Sequence, residues 1–265
     1  MSLKEKFYVL DQLFDLGILH ISFGGGEPTL QKNLIKILRY TNKHTSCSFV
    51  SNGTFINEEL CKKLKGLVSY VGISLDGLEK SHNKMRNANI FNKVINSIKL
   101  LQKHKIPVRI VTTPTKLNFR DIPRLGSFIF DELKVRYWKI MRYMPEGDKG
   151  LEIALNDEEE KWLYSQLVKL AKKYGEATDH YFKLNCPAGK FIFSIFANGD
   201  VSPCGFAPFL ISGNCLETPL IKILTEGKFF RLMRTIDQKE CFVVKYWRES
   251  KKFNQFTPLT VCTCP

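Results

Sequence analysis

Apolar residues in the first half of the chain follow two rhythms. Short apolar runs at Leu19–Phe23, Cys47–Ser51, Tyr70–Leu75, Val108–Thr113 and Tyr137–Arg142 predict buried strands. Between them, apolar positions recur at helical spacing and predict helices over about Glu5–Asp15, Gln31–Asn42, Glu58–Lys65, Phe91–Lys103 and Ile122–Asp131. The first of these carries Phe7, Leu10, Leu13 and Phe14 on one face. Alternating strand and helix units joined by short connections predict a parallel sheet with helices outside it.

In parallel α/β sheets, ligands bind where the strands end. Four of the five predicted ends are polar or glycine-rich: Gly24-Gly25-Gly26-Glu27, Ser51-Asn52-Gly53, Ser74-Leu75-Asp76-Gly77 and Thr112-Thr113-Pro114. One such end is ordinary turn chemistry, whereas a row of them predicts one site. Glycine suits a place where backbone approaches a bound molecule or takes a positive φ. Pro28 stops the pairing and helps start the next helix. Glu27, read as a buried acid, suits a ligand ammonium group, because an ionised donor strengthens the bond.

Pro145-Glu146-Gly147-Asp148-Lys149-Gly150 is rich in turn formers and charge and marks a boundary. A long helix over about Asp157–Lys173 follows, with Glu158-Glu159-Glu160 in its first turn, where acids complement the helix dipole. Further on, Phe191–Phe196 and Val201-Ser202 flank Asn198-Gly199-Asp200, a hairpin signal that brings Cys186 towards Cys204. Three parts result: a barrel portion over 1–145, a linker and helix over 146–180, and a cysteine-rich domain over 181–265.

At 265 residues, 44% hydrophobic and 25% charged, the composition is that of a folded globular protein. No stretch approaches the roughly twenty apolar residues of a membrane span, and no basic-then-apolar leader is present, so a cytoplasmic location without a membrane partner is expected. The net charge of +14 suits an anionic partner, but the lysines are scattered over predicted helix faces. With no zinc finger, RNA-binding aromatic motif or dense basic run, no nucleic-acid partner is expected.

Of the eight cysteines, Cys47 and Cys61 stand apart and read as small buried hydrophobes. Cys186, Cys204, Cys215, Cys241, Cys262 and Cys264 lie in the last eighty residues and are the candidate metal ligands. In a cytoplasmic chain such clustering favours metal, and in an oxidising compartment disulfides. The five histidines lack metal-ligand spacing.

Laid in order, these pieces resemble the radical S-adenosylmethionine (SAM) enzymes over nearly the whole chain. Gly24-Gly25-Gly26-Glu27-Pro28 is similar to the family's Gly-Gly-Glu motif, whose backbone and acid bind the SAM ammonium group. Ser51-Asn52-Gly53-Thr54 resembles the segment closing the next strand, and Ile73-Ser74-Leu75-Asp76-Gly77 with His82 and Met85-Arg86 resembles the Ser-Ile-Asp-Gly region. The resemblance implies cofactor contacts from Gly25, Gly26, Glu27, Ser51, Asn52, Ser74, Asp76, Arg86 and Thr112. It also implies a partial (β/α)6 TIM-like barrel lacking its first strand, followed by a small Cys-rich α+β domain.

Cys186-Pro187-Ala188-Gly189, the Asn198-Gly199-Asp200 hairpin, Pro203-Cys204 and Gly213-Asn214 resemble the SPASM-type extension. That extension holds auxiliary iron–sulfur clusters in peptide and cofactor maturases, with related tails in enzymes of haem precursors. The later cysteines depart from its pattern: Cys241 stands alone and Cys262-Thr263-Cys264 comes at the end, so one auxiliary [4Fe–4S] cluster is implied. The family's Cys-x-x-x-Cys-x-x-Cys, which ligates the catalytic [4Fe–4S] cluster, does not occur in the sequence. The expectation is therefore a fragment of an enzyme that cleaves SAM reductively to a 5′-deoxyadenosyl radical and modifies a peptide or tetrapyrrole precursor. The fragment would be inactive alone, and the parent would be served by an electron-donor protein. The alternative is a non-catalytic relative of the barrel that acts as a scaffold, and a further reading has the terminal cysteines clip zinc.

Overall fold

The computed structural model describes residues 1–145, 147–175, 178–179 and 187–235. Cys186, Cys241, Cys262 and Cys264, four of the expected metal ligands, lie outside the described residues. Elements run in the order α1 (Leu3–Asp15), β1 (His20–Phe23), α2 (Leu34–Asn42), β2 (Ser46–Ser51), α3 (Glu58–Leu64), β3 (Tyr70–Ser74), α4 (Glu79–Arg86), α5 (Phe91–Lys103) and β4 (Val108–Thr112). They continue with α6 (Ile122–Ser127), β5 (Tyr137–Ile140), α7 (Gly147–Ile153), α8 (Asp157–Tyr174), β6 (Thr178–Asp179), β7 (Ser194–Ile195), β8 (Asp200–Ser202), β9 (Gly213–Asn214), α9 (Leu220–Glu226) and α10 (Lys228–Thr235). Contacts divide the chain into a unit of 20–182 and a unit joining 1–19 to 183–265.

The larger unit is a six-stranded sheet whose spatial order is its chain order, β1 to β6, with every pair parallel. This is the expected partial barrel. Alternate strand residues, Cys47 and Phe49, Val71 and Ile73, Val108 and Ile110, Trp138 and Ile140, form one core with Leu38, Leu64, Ile98, Leu101, Ile122 and Leu163 from the helices. Burying each such side chain stabilises the fold by about 1.5–3 kcal/mol. Leu163, Leu167 and Leu170 of α8 belong to the same core, so the helix that composition set apart with the linker packs on the sheet.

Local departures from the predicted elements have visible causes. Pro28–Leu30 forms a 3-10 turn capped by Glu27, which delays α2 to Leu34. After α6 the chain widens into a π-helical turn over Phe128–Glu132. A Cβ on Gly126 would stand 2.8 Å from Trp138 and 2.9 Å from Leu170, so glycine there admits the close packing of α6. No helix among the described residues is long and apolar enough to cross a membrane.

In the second unit, α1 begins with a capping box between Ser2 and Glu5 and buries Val9, Leu10 and Leu13. Gln12 joins it to the C-terminal part: Nε2 donates to the Cys215 carbonyl (3.0 Å) and Oε1 accepts from Leu220 N–H (2.7 Å). The predicted hairpin is present as β7 and β8, with Gly199 at φ 93° in its turn, and β9 adds a third antiparallel strand.

Candidate functional site at the strand ends

Beyond β1 the chain passes through Gly24, Gly25 and Gly26 with little protein around it. Gly25 has φ 130°, a conformation that favours glycine. A Cβ built on any of the three would meet no atom within 4 Å, so internal packing demands glycine at neither Gly24 nor Gly26. The bare backbone faces open space.

Glu27 is half-buried, not buried as the sequence reading had it. Its Oε1 accepts from Thr29 N–H (3.1 Å), Thr29 Oγ1 (2.5 Å) and Ser51 Oγ (2.8 Å), while Oε2 accepts from Asn52 N–H (2.7 Å). An ionised carboxylate offers about two acceptor positions on each oxygen, and Oε1 shares its two among three donors. Oε1 is saturated, and Oε2 keeps one lone pair for a donor from outside the protein. The Asn52 side chain closes its own turn by accepting from Thr54 N–H (2.8 Å) and Oγ1 (2.7 Å), and Ser51 Oγ accepts from Gly53 N–H (3.0 Å). Glu27, Ser51 and Asn52 thus form one knot across the ends of β1 and β2.

A second knot ties β3, β4 and α4. Asp76, 2% exposed, pairs through Oδ2 with Arg86 Nη2 (2.7 Å) and accepts at Oδ1 from Thr113 N–H (3.0 Å). Its backbone N–H donates to His82 Nδ1 (3.1 Å) and its carbonyl accepts from Asn118 Nδ2 (2.7 Å). Accepting at Nδ1 makes His82 the neutral Nε2–H tautomer. Burial pushes its pKa down to about 4, against the raising pull of Asp76 and with a smaller lowering by Arg86. Arg86, expected to contact the cofactor directly, is committed on one nitrogen to Asp76, its side chain 33% exposed. Ser74 sits between the knots at the end of β3, half-buried, and its hydroxyl makes no hydrogen bond with the described residues.

Thr112, expected among the cofactor contacts, is fully buried: Oγ1 donates to the Leu75 carbonyl (2.5 Å) and accepts from Trp138 Nε1 (2.8 Å). Strand alternation explains the correction, because Thr112 shares its face with Val108 and Ile110 on the core side. Thr29 and Asn118 were not foreseen. The Asn118 signal was the Thr113-Pro114-Thr115 turn, which the asparagine closes by accepting at Oδ1 from Thr115 N–H (2.7 Å).

Cysteines of the larger unit do not suit a metal cluster. Cys47 and Cys61 lie in the core, their thiols pushed up to about 11 by burial, and Cys47 Sγ donates to the Leu67 carbonyl (3.2 Å). In the second unit, Cys204 is half-buried just after β8, whereas Cys215 is fully buried with its thiol pKa raised by burial. Cys215 N–H donates to the Gly199 carbonyl (2.9 Å), which places it at the turn end of β8, with Cys204 beyond the other end. Three residues of strand span roughly 10 Å, which sets the backbones of Cys204 and Cys215 apart along β8; Cys186, the expected partner of Cys204 at the hairpin base, lies outside the described residues. No group of three or more metal-ligating side chains occurs among the described residues.

Residues 1–129 match the family model for the radical SAM superfamily, and residues 186–264 match that of an iron–sulfur cluster-binding domain, SPASM. Among curated proteins the chain is similar to an Fe-coproporphyrin III synthase of Methanosarcina barkeri, 30% identical over 66% of this chain and 45% of the relative. It is also similar to an AdoMet-dependent heme synthase of the same organism, 25% identical over 93% of this chain and 80% of that one. A cysteine-type anaerobic sulfatase-maturating enzyme of Clostridium novyi is 33% identical over 54% of this chain and 39% of its own length. Among solved structures, Streptococcus suis SuiB bound to S-adenosylmethionine superposes with a TM-score of 0.72 at 20% identity, covering 91% of this chain and 64% of SuiB. At that identity the likeness is one of fold, and the chain spans less than half the length of the first relative.

Proposed function

Because the chain belongs to the radical SAM superfamily and carries a SPASM-type cluster-binding domain, we propose that its strand-end row binds SAM and serves radical modification of a peptide or tetrapyrrole precursor. One observation carries this reading: glycine backbone facing open space stands beside an acid with one acceptor position left over. An ammonium group donating to Glu27 Oε2 uses that position. Gly25 and Gly26 leave room for the ligand to approach the backbone, and the Ser74 hydroxyl offers a polar contact on β3. The Asp76–Arg86 pair holds the ends of β3 and α4 in place and leaves the remaining guanidinium N–H groups for the ligand.

In such enzymes SAM would supply a hydrogen-abstracting 5′-deoxyadenosyl group after receiving one electron through a [4Fe–4S] cluster held by Cys-x-x-x-Cys-x-x-Cys and fed by a donor protein; that motif does not occur in this sequence, so no residue here is assigned the electron transfer. What these residues contribute is binding and orientation. The auxiliary [4Fe–4S] cluster of the second unit is assigned to Cys204 together with cysteines outside the described residues, and Cys215 is left out of it. The names of the relatives, haem synthesis on one side and sulfatase maturation on the other, make tetrapyrroles and peptides the two substrate classes to test.

Gly26 gives a clean test, since a side chain there meets no protein atom. Gly26→Val is expected to fold as the wild type and to lose SAM affinity in a calorimetric titration. Unchanged SAM affinity in a folded Gly26→Val protein overturns the reading.

A further inference from the structure

Strand residues that alternate with the core positions form a second sheet face, on which polar side chains surround the apolar patch of Val50 and Val111. The face carries His20 on β1, Ser48 on β2, Tyr70 on β3, Arg109 on β4, and Tyr137 and Lys139 on β5. The guanidinium of Arg109 lies 4.3 Å from the centre of the Tyr70 ring. Tyr70 stacks on His20 at 5.8 Å and 11°, and the His20 ring is held at Nδ1 by Ser46 Oγ (2.6 Å) and at Nε2 by Ser48 Oγ (2.8 Å). A train of side chains across four strands therefore fixes where this cation sits.

Nothing on the neighbouring strands neutralises it. Arg109 stands in register with Gly72 on one side and Tyr137 on the other, and among the described residues no carboxylate lies within ion-pair distance. A half-buried guanidinium keeps its charge at any working pH and presents a fork of donors matched to a carboxylate. Tyr137, 56% exposed, adds an aromatic wall beside it. Ser74 is in register with Val111, two residues beyond Arg109, which puts Arg109 about 7 Å further down the face than the strand-end site.

We propose that Arg109 docks a carboxylate of the substrate on this inner face, an inference that rests on the reading of the strand ends as the SAM site. The carboxylate comes from a tetrapyrrole propionate or from an acidic residue of a peptide, and the chemistry at Arg109 is the same for both. The test is fluorescence titration of the full chain with coproporphyrin III and, separately, with a fluorescein-labelled Glu-rich peptide, using wild type, Arg109→Met and Arg109→Lys.

A charged hydrogen-bonded contact contributes on the order of 1.5–3 kcal/mol, so the probe that binds wild type is expected to bind Arg109→Met about tenfold or more weakly. Arg109→Lys, which keeps the charge without the fork, recovers part of the loss. Which probe depends on Arg109 identifies the source of the carboxylate. Equal binding of both probes to wild type and Arg109→Met overturns the proposal, as does failure of both to bind wild type. SAM titrated in parallel is expected to bind Arg109→Met as it binds wild type. Absence of SAM binding to the wild type overturns the strand-end reading instead, whatever the probes do.

Discussion

Glu27 at the end of β1 accepts the hydroxyl hydrogen of Ser51 at the end of β2, Oε1 to Oγ 2.8 Å, so the acid assigned to the ligand is also a clasp between neighbouring strands. Removing it does two things at once. Glu27→Ala leaves Ser51 Oγ and Asn52 N–H without their acceptor and is expected to cost about 1–3 kcal/mol in denaturant unfolding. Glu27→Gln keeps an acceptor oxygen, and is expected to lose less stability than Ala while still weakening SAM binding. Equal unfolding midpoints for wild type and Glu27→Ala contradict the clasp.

His82 makes stability depend on pH in a definite direction. Its folded pKa, about 4, lies below the ordinary 6.5, so above pH 6.5 the imidazole is neutral in both states and the protonation term is absent. As pH falls below 6.5 the unfolded chain takes up a proton that the folded protein refuses, and stability drops until the folded group protonates near pH 4. The full loss is about 3 kcal/mol. His82→Gln is expected to flatten this part of the stability profile. An unchanged slope between pH 6.5 and 4 in that variant counts against the assignment.

Thr112 separates structural from ligand-contacting residues. Thr112→Val leaves Trp138 Nε1–H without its acceptor in the core and is expected to destabilise the protein by about 1–3 kcal/mol while SAM affinity stays at the wild-type value. A loss of SAM affinity without a loss of stability restores Thr112 to the site.

The two described cysteines of the second unit are expected to behave differently. Cys204→Ala lowers the iron and sulfide bound per chain after anaerobic reconstitution, whereas Cys215→Ala leaves the iron content unchanged and lowers the melting temperature through the cavity it makes. Iron loss on both substitutions contradicts the separation of the two thiols along β8.

Much of this architecture is legible in the sequence because the parallel strands are buried on the helix side and bounded by glycine or polar ends. Runs such as Cys47–Ser51 and Tyr70–Leu75 stand out from the helical periods between them. β6 escaped notice because two residues carry no period, and α4 because only Ser81 and His82 of its eight residues are buried. Glu27, Ser51, Asn52, Ser74 and Asp76 could be found as strand-end residues. How they divide between holding the fold and facing a ligand is set by hydrogen bonds between residues distant in the chain, such as Asp76 to Thr113. Arg109 shows the same limit: its place beside Tyr70 depends on the register of β3 and β4, which no local pattern states.

Hydrogen exchange read by mass spectrometry, with and without SAM, tests the central claim most directly. The account predicts SAM-dependent protection in three separated peptides, those containing Gly24–Thr29, Ser51–Thr54 and Ser74–Asp76, because only a ligand across the strand ends touches all three. Protection confined to other segments, or no protection at saturating SAM, contradicts it.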